Sequence, residues 1–122
     1  MKLFSASVKT FSVVTILLAL SLSSTANAEI SALEQLFEQQ QYDAFLQQAR
    51  QQASENNAEA LFLLGKAYDL GRGVTQDSII ASGYYLQARE LGSARASHNL
   101  GSMALNKGRK AEAIRLFDEA LA

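Results

Sequence analysis

Apolar positions recur at helical spacing from residue 31 to the end of the chain. Ser31 and Glu34 fit the S-x-x-E capping box that opens many helices. Behind them Leu33, Leu36 and Phe37 form a stripe at i, i+3, i+4. A second helix is predicted over about Tyr42 to Ala53, and Ser54 to Asn57 is a polar break. Asn57 can cap a third helix with Leu61, Leu64 and Tyr68 on one face. Gly71 to Gln76 reads as a loop. Asp77 then caps a fourth helix with Ile80, Tyr84, Ala88 and Leu91 in line, and Gly92 stops it. Ser93 caps a fifth, carrying Ser97, Leu100 and Ala104, which Gly108 ends. A sixth carries Ile114, Phe117 and Leu121. No segment alternates with period two, so the pattern is all-α.

The helices repeat. Ala60, Leu64 and Gly65 are followed 36 residues later by Ala96, Leu100 and Gly101. Tyr85 and Ala88 are followed 32 residues later by Phe117 and Ala120. Self-similarity at this period predicts stacked helical hairpins, the second with a loop four residues shorter. A glycine inside a helix costs roughly 1 kcal/mol relative to alanine. Gly65 and Gly101 share one slot, one residue after a core leucine, where the missing side chain lets a paired helix approach closely. Gly71 and Gly73 suit left-handed backbone past a helix end.

The first 28 residues have a different character. Lys2 and Lys9 precede an apolar run from Phe11 to Leu22, and Ala26-Asn27-Ala28 fits an A-x-A cleavage site. The run is about 12 residues, short of the roughly 20 that span a bilayer. Residues 1–28 are therefore expected to be a signal peptide cut between Ala28 and Glu29, leaving no stable membrane insertion after processing. A periplasmic or secreted location follows from that expectation.

Composition narrows the function classes. The chain of 122 residues is 48% hydrophobic and 19% charged, which suits one folded domain. No basic patch points to nucleic acid. With Lys2 and Lys9 removed, nine basic side chains face twelve acidic ones. There is no cysteine and a single histidine, His98, so neither a disulfide framework nor a zinc site is expected. His98 and Ser102 share a helix face, but no carboxylate at a suitable spacing orients the imidazole for triad chemistry. Gly71 to Asp77 lacks the lysine of a P-loop. No catalytic residue, cofactor or metal is expected. Eight glutamines between Gln35 and Gln52 read as an uncharged outer face.

The span from Ala58 to Gly101 resembles the Sel-like repeat, a branch of the tetratricopeptide superfamily. Ala58, Ala60, Leu64, Gly65 and Tyr68 match its first helix. Gly71, Gly73, Val74 and Asp77 match its loop, and Ala81, Tyr84, Tyr85, Ala88 and Gly92 its second helix. There are departures. Thr75 stands where the family often has proline, Gly83 interrupts the fourth helix, and Ala104 replaces the tyrosine expected from Tyr68. The resemblance implies a right-handed α-solenoid of about three antiparallel hairpins. It divides the chain into the signal peptide, a degenerate hairpin or cap at 29–56, a Sel-like repeat at 57–92 and a shortened tetratricopeptide-like repeat at 93–122.

By resemblance, such a protein is a non-enzymatic adaptor that holds a protein or peptide on the concave face made by the first helix of each pair. Spacing from the matched positions puts Glu59, Phe62, Lys66 and Asp69 on that face in one unit, and Arg95, His98, Ser102 and Asn106 in the next. Phe62 is the candidate apolar anchor, and Lys66, Arg95 and His98 the candidates for an acidic group. The alternative expectation is a cell-envelope factor that binds glycan, such as peptidoglycan, or assists an envelope enzyme. The sequence stops at FDEALA, directly after an apolar stripe. Self-association through the last helix is expected from that, or a shortened member of a longer repeat family.

Overall fold

The computed structural model describes residues 32–122. The expected signal peptide, the Ala28–Glu29 junction and Ser31 of the capping box lie outside the described residues. Helical residues 32–38 (α1) are followed by α2 (Tyr42–Ser54), α3 (Ala58–Leu70), α4 (Ser78–Glu90), α5 (Ala94–Asn106) and α6 (Lys110–Leu121). Among the described residues there is no strand. Leu33 to Ala122 form one unit. The most extensive packing lies within the hairpins α3/α4 and α5/α6, as a stack of helix pairs requires.

Local chemistry sets the boundaries. Asn57 Oδ1 accepts from the N–H groups of Glu59 and Ala60 at 3.0 and 3.1 Å. Asp77 Oδ1 accepts from Ile79 and Ile80 at 2.9 and 3.0 Å. Ser93 Oγ accepts from Ala96 at 3.2 Å. Each satisfies donors that the first helical turn leaves open. The slot of Asp77 is Arg109 in the next hairpin, and α6 begins without a side-chain cap. Helix ends turn on left-handed backbone: Gly71, Gly73, Gly92 and Gly108 all have positive φ. Gln40 and Asn56 do the same work in the first two turns.

The core is centred on α3, where every residue from Ala60 to Gly65 and also Ala67 is buried. Leu33, Phe37, Phe45, Leu46 and Ala49 bring α1 and α2 into it. Val74 folds back from the loop against the same cluster.

Two stripes differ from the sequence reading. In α4 the buried residues are Ala81, Tyr85 and Ala88, while Ile80 and Leu91 of the expected line are exposed. In α6 they are Ala113 and Leu116, with Phe117 half-buried; Ile114 is 60% and Leu121 87% exposed. The reason is steric. Where helices approach most closely the interface is made of alanine and one ring per hairpin, and bulkier aliphatic side chains are forced to the flanks. Hydrophobicity alone gives most weight to the large residues and so turns the inferred face by one position.

Candidate functional site

Glycine and ring interlock in both units. A Cβ built on Gly65 would lie 2.6 Å from Tyr85 Cδ1, and one on Gly101 would lie 2.7 Å from Phe117 Cε1. Each ring meets a second ring from the first helix of its own hairpin. Phe62 lies 5.7 Å from Tyr85, and His98, its counterpart 36 residues on, lies 5.2 Å from Phe117. The Tyr85 hydroxyl donates to Asp69 Oδ2 (3.3 Å) and accepts from Asn99 Nδ2 (3.0 Å). One side chain of α4 thus ties α3 to α5. Burial pushes the Tyr85 phenol up, well above the ordinary tyrosine range.

The first helices of the pairs, α1, α3 and α5, carry the candidate face. Arg95 at the start of α5 pairs with Glu34 of α1 (2.8 Å) and with Glu59 of α3, and its guanidinium lies 4.3 Å from the centre of the Phe62 ring. One arginine thus joins α1, α3 and α5. Lys66 pairs with Glu38 (3.5 Å) and lies over Phe37, 4.9 Å from its centre. Burial raises the Glu59 carboxyl, against the pull of Arg95, while the neighbouring charge of Glu34 raises it further.

The structure therefore places the sequence-selected residues unevenly. Glu59, Lys66 and Arg95 come together through carboxylates of α1. Phe62 is 4% exposed, so its ring is part of the core beneath Arg95 and presents no free apolar surface to a partner. Asp69 is engaged by Tyr85. His98 and Asn106 are exposed and Ser102 is half-buried, and the Ser102 hydroxyl donates to the backbone carbonyl of His98 (3.2 Å). Phe62, Arg95, His98 and Asn99 line a shallow depression closed by Ala120 and Leu121 of α6. Sequence reasoning selected neither Glu34 nor Glu38 for this face. Glu34 has a local signal as a capping residue, and only the fold brings it to Arg95.

No family model matches the chain, and no curated protein matches it significantly. Among solved structures, the chain is similar to the crystal structure of a Sel1 repeat protein from Oxalobacter formigenes, with 29% identity and a TM-score of 0.65. The match covers 75% of this chain and 38% of that one. The chain has the fold of a Sel1 repeat protein. The glycine–ring interlock recurs in its two full hairpins, α3/α4 and α5/α6. The chain spans little more than a third of the length of that neighbour. No described helix is long and apolar enough to cross a membrane.

Proposed function

We propose that this chain is an exported, non-enzymatic adaptor that holds a protein or peptide segment on the face of α1, α3 and α5. The observation that carries the reading is the charge on that face. Glu34, Glu38, Glu59 and Asp69 stand against Lys66, Arg95 and Arg72, which lies over the Phe37 ring, and Lys66 and Arg95 are already paired with carboxylates of the same face. An acidic partner would have to displace those carboxylates. A segment bearing a lysine or arginine side chain meets the surplus negative charge directly, with His98, Ser102 and Asn106 supplying polar contacts.

The test is capture with crosslinking from a bacterial envelope extract, using the purified chain and its Glu34→Gln/Glu38→Gln variant. The parent is expected to retain a partner that the variant holds at least about fivefold less tightly, with binding that weakens as salt rises. Equal retention by both would exclude this face. A second reading rests on α2, which exposes Gln47, Gln48 and Gln51 as an uncharged hydrogen-bonding row. It makes the chain an envelope factor that binds glycan. Co-sedimentation with purified peptidoglycan, unaffected by Glu34→Gln/Glu38→Gln, would favour it over the first.

A further inference from the structure

The two hairpins differ at one point of their packing. In the first, Tyr68 of α3 stacks on Tyr84 of α4, with ring centres 5.8 Å apart and planes 22° from parallel. The same slots in the second hairpin, 36 and 32 residues on, hold Ala104 and Leu116. Two rings are thus replaced by a methyl group and an isobutyl group. A cleft of about 200 Å³ lies between α4, α5 and α6, with Ala104 and Leu116 among its walls. Leu100 and Met103 line it too, and Leu86, exposed on α4, stands at its side.

The rim is cationic. Arg89, Lys107 and Arg109 surround the opening, with Glu112 as the one carboxylate among the lining residues. Arg89 is held by Glu119 through two contacts of 2.7 Å. Arg109 reaches Glu112 at 3.6 Å, and Lys107 makes no ion pair among the described residues. Three cations against two carboxylates leave the rim positive. A cleft with Leu86, Leu100, Met103 and Leu116 in its walls and a positive mouth fits an aromatic side chain that has carboxylates beside it.

We propose that the α4–α5–α6 cleft is a second binding site, separate from the α1–α3–α5 face, and that it takes an aromatic side chain of an acidic partner segment. The ring lies beside Ala104 and Leu116, in the slots where the first hairpin carries its tyrosine pair, and the flanking carboxylates meet Lys107 and Arg109.

Met103 provides a reporter. It is one of only two methionines in the sequence, the other being Met1, so its labelled methyl group gives an isolated NMR signal. The probe is a short, end-blocked peptide with phenylalanine between aspartates. A saturable shift of the Met103 methyl is expected with this peptide, and none when alanine replaces the phenylalanine or lysines replace the aspartates. Ala104→Tyr restores the repeat's own ring and should weaken binding about tenfold or more. Lys107→Glu/Arg109→Asp should weaken it similarly. In the latter variant the new aspartate stands in the capping slot of Asp77, which keeps α6 anchored. The proposal is overturned if no shift occurs at millimolar peptide, if the lysine-flanked or alanine peptide binds equally well, or if both variants bind like the parent. It is also overturned if the Met103 signal moves with protein concentration alone, which would make a second copy the occupant.

Discussion

Tyr85→Ala is expected to destabilise the protein by about 3–5 kcal/mol, the range for truncating a buried aromatic ring. Tyr85 is fully buried, and its ring lies against Gly65, which has no side chain to move into the space. Phe62 would lose its ring partner, and Asp69 and Asn99 would lose the hydroxyl that joins α3 to α5. Small domains have only about 5–15 kcal/mol in total, so the variant should unfold at a much lower urea concentration. Tyr85→Phe separates the two contributions. It keeps the wedge and removes the hydrogen bonds, at an expected cost of about 1–2 kcal/mol. A Tyr85→Ala variant no less stable than Tyr85→Phe would show that the ring does not wedge the hairpin together.

Gly73→Ala is the second large effect. Gly73 has φ of 75°, and left-handed backbone costs a residue with a side chain about 1–2 kcal/mol. The new Cβ would also lie 2.5 Å from Tyr42 Cβ, an atom too close to the α2 backbone to swing aside. Overpacking of this kind adds about 1–3 kcal/mol. Tyr42 opens α2 and its ring meets Phe37 of α1 edge-on at 6.1 Å. The damage should therefore fall first on the docking of α1 and α2. Hydrogen exchange is expected to quicken in those helices more than in α5 and α6. Uniform protection and an unchanged melting temperature would contradict this account of Gly73.

Features fixed by local chemistry were readable from the sequence. A cap depends on one side chain and the next turn, so Asn57, Asp77 and Ser93 could be placed without the fold. The shared register of Gly65 and Gly101 announced a close approach because two isolated helix-breaking residues rarely fall in the same slot of a repeat. What approaches them was not readable from periodicity alone. The stripes of α4 and α6 turned out to centre on Ala81, Ala88 and Ala113, residues whose small size matters more than their hydrophobicity. Glu59, Lys66 and Arg95 could be placed on first helices by spacing, but their pairing with Glu34 and Glu38 could not. Arg95 reaches Glu34 across 61 positions of sequence, through a stacking of helices that no local pattern encodes. Phe62 looked like a surface anchor because helical spacing cannot show that an arginine covers it. The replacement of Tyr68 by Ala104 was visible at once, whereas the cleft beside Ala104 depends on where α4 stands.

Three glycine-to-alanine variants test the interlock most directly. Gly65 and Gly101 sit under rings, while a Cβ on Gly83, also inside a helix, would meet nothing within 4 Å. Alanine adds about 1 kcal/mol of helix propensity at all three positions. At Gly65 and Gly101 that gain is opposed by overpacking of about 1–3 kcal/mol or more. The loss should be larger at Gly65, because Tyr85 is pinned by two hydrogen bonds and Phe117 is only half-buried. Urea denaturation should show Gly83→Ala more stable than the parent, and Gly65→Ala and then Gly101→Ala less stable. A similar rise in stability for all three would mean that no ring rests on the two repeat glycines.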